Sequence, residues 1–460
     1  MNNGVENIGK KDVAWSYIAT IFMVGSGVLL LPFILHEMSA ETVGLWNIFI
    51  AITGLVNLLD FGFRPSFARN ISYIFSGVTK LYKEGVQEAS AENPIDFSLL
   101  KGTIKAMQKF YYRMSVVVFF GLLTIGTAYL YYILRNYSED KTDAIIAWLL
   151  LIVINSYNLY TQYYDALLIG KGYVKRDQQI TIISQATYLI IAIILILAGF
   201  SLTAIVSSKL ISVIIRRYLS YKTFFTAELK SILKDASSED ANEILRVITP
   251  NAVKVGCTNL GSFLVNKSAV FFGSVCLTLE DIACYGITLH IIDLLSNCGS
   301  VVSRSYTPKL AQYRASKNVV GLQKIFVLCV EMMLLIYILG GFSIVLLGNW
   351  AMELIGSQTQ LLPSQMIIVM LIFSCLECNH SMSSLFISAD NRIPFFVPSL
   401  ISGAFTVLLL WIFLFHFNFE VWGLVLANGI AQLVYQNWKW PSVVIKELYF
   451  NANTQNYECR

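Results

Sequence analysis

Long segments without a single Asp, Glu, Lys or Arg constrain this chain more than any other feature. They cover 13–36, 43–59, 114–134, 144–164, 178–208, 332–352, 354–376, 393–419 and 421–438. Two more segments, 255–279 and 282–303, are each interrupted by one charge, Lys267 and Asp293. A charge at the bilayer centre is costly, so segments like these mark lipid as the second solvent. Composition agrees: 56% of residues are hydrophobic and 13% charged, against about 25% charged in an average soluble domain. Mean hydropathy is +0.62. A soluble enzyme, a nucleic-acid binder and a disordered scaffold are excluded on that ground. The first apolar run opens at Val13 and is long enough to span, unlike the ~7–15-residue core of a signal peptide. The eight cysteines all lie from Cys257 onward, seven of them inside or beside apolar runs, which is not how a disulfide framework is laid out.

Lipid admits only helices or closed barrels, and these runs are too long and uniformly apolar for barrel strands. Splitting 178–208 at Gly199-Phe200-Ser201, because a single span needs only about 20 residues, gives an all-α polytopic protein of twelve transmembrane helices. They are expected near 13–36, 42–63, 112–134, 144–168, 178–199, 202–221, 250–274, 282–304, 325–348, 363–388, 394–416 and 420–440. The expected organisation is a six-helix lobe at 1–222, a cytoplasmic linker at 223–249 and a second six-helix lobe at 250–460. With both termini in the cytoplasm, Arg64, Lys109, Lys171, Arg176, Arg216, Arg217, Arg246, Arg304 and most other basic residues fall inside, and the outer loops keep only Arg135 and Lys141. That asymmetry sets the orientation. The longer connections, 77–109 and 222–249, mix Lys and Glu with apolar residues and are expected to form amphipathic helices on the inner leaflet.

The second half echoes the first. The stretch His36–Trp46 opens helix two as Leu277–Tyr285 opens helix eight; Met38–Trp46 aligns on Leu277–Tyr285 without a gap, placing Glu41 on Glu280 and Trp46 on Tyr285. Further on, Asp165-Ala166-Leu167-Leu168-Ile169-Gly170 resembles Ser383-Ser384-Leu385-Phe386-Ile387-Ser388. Six helices of matching orientation per half make a parallel repeat, the plan of a two-lobed transporter with a site between lobes.

Intramembrane polar residues locate the chemistry. Lys267 has uncharged residues at 255–266 before it and 268–279 after it, which puts it near mid-bilayer, where lysine costs at least about 2.5 kcal/mol unless it faces water or an anion. It sits about 100° around the helix from the Asn259, Ser262 and Asn266 stripe, an offset that also suits a lobe interface. Helix eight carries His290, Asp293 and Asn297, and helix two carries Asn57, Asp60 and Arg64. Helix four carries Asn155, Asn158, Gln162 and Asp165, and helix ten carries Glu377, Ser381 and Ser384 with His380 alongside. Each stripe also serves as interhelical hydrogen bonding; four of them on repeat-related helices favour a hydrated cavity. Arg64, Lys254 and Arg304 are either ordinary inside-facing charges or a cationic vestibule. Cys375, Cys378 and His380 fall short of the four ligands of structural zinc, so no metal is expected. No phosphate-binding loop is present for ATP.

The Gly44-Leu45-Trp46 opening of helix two, the segment Asn266-Lys267-Ser268-Ala269-Val270-Phe271-Phe272-Gly273 and then Ile282-Ala283-Cys284-Tyr285-Gly286 resemble the polysaccharide-exporting branch of the MATE/MOP flippase superfamily, nearest to Wzx-type O-antigen or capsule repeat-unit flippases. The resemblance spans nearly the whole chain. It implies flipping of an undecaprenyl-diphosphate-linked oligosaccharide from inner to outer leaflet of a bacterial cytoplasmic membrane, through a cationic cavity and alongside polysaccharide polymerase and glycosyltransferases. Where the family often carries an acidic residue, this chain has Asn266-Lys267. Helix one lacks the Arg or Lys of the lipid II flippase pattern. On this reading Lys267, Arg64, Lys254, His290, Asn266, Asn155 and Gln162 take the diphosphate and sugar, with tyrosines such as Tyr157, Tyr160, Tyr163 and Tyr164 as sugar platforms. Asp60, Asp293 and Glu377 are candidates for coupling to a proton or sodium gradient; no other cofactor is expected. The alternatives are a MATE-like ion-coupled multidrug antiporter, kept open by the three carboxylates, and a membrane polysaccharide polymerase, disfavoured by the short outer loops.

Overall fold

A computed structural model describes residues 10–81, 95–306, 310, 319–388 and 394–450. The termini, Lys83, Pro308, Lys309, Arg314, Lys317, Arg392 and the side chain of Lys254 lie outside the described residues. Helix accounts for 87% of the structure, and no strand occurs among the described residues.

The helices in chain order are α1 (Lys10–Glu37), α2 (Ala40–Leu58), α3 (Phe63–Phe75), α4 (Phe97–Asn136), α5 (Lys141–Tyr160), α6 (Tyr163–Gly170), α7 (Val174–Leu197) and α8 (Leu202–Phe224). They continue with α9 (Ala227–Asp235), α10 (Ala241–Cys276), α11 (Leu279–Ser305), α12 (Val319–Leu354), α13 (Ser364–Ser388), α14 (Phe396–His416), α15 (Glu420–Val434) and α16 (Gln436–Ile445). Eight are long and apolar enough to cross a bilayer: α2, α4, α5 with α6, α7, α11, α12, α13 and α14. Helices α1, α8, α10 and α15 stand at the other four expected positions. Large apolar side chains such as Ile125, Ile338, Phe342 and Leu354 are exposed on these helices, as lipid-facing residues are.

Several boundaries differ from expectation. The helix expected at 112–134 begins at Phe97, where Asp96 caps it by accepting from the Ser98 and Leu99 amides at 2.9 and 3.0 Å. Residues 97–109 are therefore the foot of α4 and not a separate leaflet helix. Residues 241–249 likewise open α10. Between them α9 docks on the foot of α4: Lys101 Nζ donates to the Ala236 carbonyl at 2.7 Å, and the Ser98 and Ser237 hydroxyls meet at 2.7 Å. The helix expected at 42–63 stops at Leu58, and that at 144–168 breaks at Thr161 and Gln162. Helices α4 and α14 each contain a π turn, at Leu122–Gly126 and Ile412–His416, a local widening that often marks functional sites.

Contacts group the chain into two compact units: Met1–Met38 with Ile52–Asn259, and Ser39–Ala51 with Leu260–Arg460. Helices α2 and α10 thus contribute to both. In the first unit α4 packs on α5, α3 on α6, α5 on α8 and α7 on α8. In the second, α12 packs on α13, α11 on α13, α13 on α15 and α16, and α14 on α15. Each of these first-unit pairings has a counterpart between the corresponding helices of the second unit. In the second unit, the first half of α2 meets α11 at repeat-equivalent positions, the Asn47 side chain lying directly on Gly286. Small residues at such crossings suit lipid, where close backbone packing drives association. An apolar cluster of Leu322, Phe326, Met382, Phe386, Trp440 and Val444 closes one end of the unit.

Candidate functional site

The second unit contains a partly open cavity of about 400 Å³, within the size range of small-ligand sites. Helix α10 contributes Asn266 and Lys267, and α11 contributes Tyr285, Asp293, Ser296 and Asn297. Helix α13 adds Phe373, Ser374, Glu377 and Ser381; α15 adds Asn428, Gly429 and Gln432; α16 adds Asn437. The spacing of polar residues along α11 and α13 explains the convergence: Asp293 and Asn297, and Glu377 and Ser381, stand one turn apart on a single helix face.

Lys267 Nζ lies 3.8 Å from Asp293 Oδ2, with the lysine one-third and the aspartate half exposed. Each charge thereby lowers the cost of the other at membrane depth. Asn266 and Lys267 line the cavity together, so the 100° offset does not remove Lys267 from the polar face. His290 sits one turn before Asp293, its ring edge-on to Trp46 at 6.3 Å. Glu377 Oε1 lies 3.3 Å from His380 Nδ1, so His380 is engaged by a carboxylate one turn away. Asn297 accepts from Arg304 at 3.3 Å. Glu377 Oε2, Gln432 Oε1 and both amide atoms of Asn437 are buried without a hydrogen-bond partner, a costly state that marks groups awaiting one. The charged lining residues are one lysine and two carboxylates, so this cavity is not predominantly cationic.

The remaining candidates lie in the first unit. Asn155 is buried and donates to the Leu151 carbonyl at 3.0 Å and Thr53 Oγ1 at 3.5 Å, which makes it interhelical glue. Asp60 accepts from the Tyr111 hydroxyl at 2.6 Å and from the Arg64 amide at 3.2 Å, which satisfies a free amide in the first turn of α3. Gln162 occupies the α5–α6 break. Arg64 is half-exposed, 3.9 Å from Asp165. Tyr163 is buried, 4.3 Å from the Tyr164 ring, whereas Tyr157 and Tyr160 line a separate aromatic groove with Tyr112 and Phe120.

Two features were not foreseen. The polar lining from α15 and α16 has a legible signal, since Asn428 and Gln432 are one turn apart inside a charge-free run. Arg217, expected as an inside-facing surface charge, is buried and bonded to Asp165 at 2.8 Å and to Asn158 Oδ1 at 2.6 Å.

No protein-family description matches the chain, and no curated protein matches it. Solved structures do. The chain is similar to a multidrug-resistance MATE family transporter of the MOP superfamily in its inward-facing conformation, with TM-score 0.62 and 15% identity over 94% of this chain and 95% of that one. It is similar to the lipid II flippase MurJ in an inward closed conformation, with TM-score 0.63 and 17% identity over 94% and 87%. It also matches a MOP-superfamily transporter from Pyrococcus furiosus, described by a binding pocket of reversed polarity, with TM-score 0.51 and 16% identity over 96% and 97%. The protein therefore has the all-helical fold of MATE/MOP transporters.

Proposed function

We propose that this membrane protein is a flippase for an undecaprenyl-diphosphate-linked oligosaccharide repeat unit, moving it from the inner to the outer leaflet of a bacterial cytoplasmic membrane. The polar cavity of the second unit carries the reading. A wall of Asn266, Asn297, Asn428, Gln432 and Asn437 amides with Ser296, Ser374 and Ser381 hydroxyls offers donors and acceptors to a hydroxyl-rich glycan. A multidrug site would be lined mostly by apolar and aromatic groups. The balance of Lys267 against Asp293 and Glu377 suits sugar over phosphate. The diphosphate calls for further positive donors, for which Arg64 and Lys254 stand as candidates. The fold shared with a lipid II flippase supports a lipid-linked cargo. Glycosyltransferases that build the repeat unit and a polymerase that joins it are the expected partners, and both termini face the cytoplasm.

A second reading, an ion-coupled antiporter like the MATE transporters, draws on Asp293 and Glu377, whose carboxylates face one cavity. Either reading accommodates coupling to a proton or sodium gradient through Asp293, Glu377 or Asp60, because a carboxylate binds either ion as a transporter changes state.

The deciding experiment is flipping of a fluorescent lipid-linked oligosaccharide in proteoliposomes. The parent chain is expected to flip it and Lys267→Ala to slow flipping at least tenfold at equal protein. Export of cationic drugs with no flipping would select the antiporter.

A further inference from the structure

Two helices of the first unit are interrupted, and their repeat-related counterparts are not. Between α2 and α3 the chain turns through left-handed Phe61 (φ 44°) and Gly62 (φ 68°). Between α5 and α6 it turns at Thr161 (φ −93°, ψ 3°) and Gln162. In the second unit α11 runs unbroken over Leu279–Ser305 and α13 over Ser364–Ser388. The two short segments beyond the breaks, α3 and α6, pack on each other. Gly170 permits this, since a Cβ there would stand 2.6 Å from the Ala68 carbonyl oxygen and from Ile71.

One buried carboxylate ties this pair down. Asp165 on α6 contacts Arg217 at 2.8 Å and Arg216 at 3.4 Å on α8, and Arg64 at 3.9 Å on α3. Arg216 also reaches Asp177 on α7 at 3.6 Å. At the repeat-equivalent position the second unit has Ser383, whose hydroxyl merely donates to the Asn379 carbonyl at 2.9 Å. The network is incomplete: Arg217 Nε, Asp177 Oδ1 and Gln162 Oε1 are buried without hydrogen-bond partners. A closed polar network would lock its helices, and a partly satisfied one leaves a second arrangement within reach.

We propose that α3 and α6 move together as a flap hinged at Phe61–Gly62 and Thr161–Gln162, and that Asp165 is the latch holding the flap to α7 and α8. The non-glycine left-handed residue at the hinge stores strain, as switch segments do. Aromatic contacts, Phe63 on Phe110, Phe75 on Phe224 and Tyr164 on Tyr221, seat the pair on α4 and α8; the shared carboxylate adds the charged tie to α8. Among the described residues the latch exists in one half of the repeat, so the two halves open by different means. It sits at the end of the unit that carries Arg64, Lys171 and Arg216, the side that charge asymmetry assigns to the cytoplasm.

The test needs no substrate, so its outcome is separate from that of the flippase reading. Spin labels are placed at Arg69→Cys on α3 and Lys222→Cys on α8, both exposed positions, in the full chain with its native cysteines replaced and reconstituted in nanodiscs. A second pair at Ile145→Cys and Ile211→Cys, on α5 and α8 away from the flap, serves as the reference. The parent is expected to give one dominant 69–222 distance. Asp165→Asn adds a population shifted by about 5 Å or more, the scale of one helical turn, and Asp165→Glu restores the parent distribution. The 145–211 distance stays unchanged throughout. If Asp165→Asn does not fold, Arg216→Gln replaces it, since Arg216 is partly exposed and ties Asp165 to α8 and to Asp177 on α7; the same second population is expected. An unchanged 69–222 distribution in the folded variant, or an equal change at 145–211, overturns the latch.

Discussion

Gly429→Ala is the sharpest probe of the cavity wall. Gly429 on α15 lies against the Phe373 ring on α13, and both line the cavity. A Cβ at 429 falls inside the van der Waals envelope of that ring, so the ring must turn, and the open space beside it is the cavity. Overpacking of this kind costs about 1–3 kcal/mol. At roughly 2–4 °C per kcal/mol for a unit of this size, the melting temperature falls by about 2–12 °C. On the proposed reading the displaced ring also fills part of the space for the glycan, so flipping should fall further than stability alone explains. Gly121→Ala is the control: its backbone is helical (φ −62°, ψ −46°) and nothing lies within 4 Å of a Cβ there, so it gains up to about 1 kcal/mol of helix propensity. Thermal unfolding in detergent and flipping in proteoliposomes read both effects. A Gly429→Ala protein that melts within a degree of the parent and flips normally refutes the reasoning.

Three further outcomes follow from single contacts. Replacing Lys267 with Met or Asp293 with Asn leaves an unpaired charge, so the double variant should be more stable than the sum of the singles implies, with a coupling of about 0.5–3 kcal/mol, at the low end because both groups are partly exposed; thermal shifts across the four proteins give that coupling. Asp96→Ala removes the cap of α4 and should cost about 1 kcal/mol, seen as faster amide exchange in the first turn of that helix. Trp148→Phe breaks the bond from Trp148 Nε1 to Thr127 Oγ1 at 3.0 Å beside the π turn, with an expected loss of about 1 kcal/mol in thermal unfolding.

Much of the architecture is legible because lipid makes hydropathy decisive: charge-free runs became helices, and α2 meets α11 at Asn47 and Gly286, positions the repeat alignment pairs. Helix breaks are less legible. The α2–α3 break is announced by Gly62 and by Pro65, which suits the first turn of a new helix. The α5–α6 break at Thr161–Gln162 carries no Gly or Pro and no signal in an apolar run. The foot of α4 was hidden for a different reason: residues 97–109 are polar enough to read as a leaflet helix, and only the docking of α9 explains why they continue a span. Lys267, Asn266, Asp293 and Glu377 converge as their mid-span positions suggest, whereas Arg217 does not betray its burial, because an arginine near a helix end reads the same whether it faces water or Asp165.

Cysteine protection at the cavity wall tests the central claim most directly. Ser296→Cys and Asn428→Cys, each alone in a background without native cysteines, are treated with a small polar thiol reagent in proteoliposomes. Both thiols should react, and lipid-linked oligosaccharide should slow the reaction while the same polyprenyl diphosphate without sugars does not. Thiols that stay inert, or that are shielded equally by the sugar-free lipid, would contradict a glycan-binding cavity in the second unit.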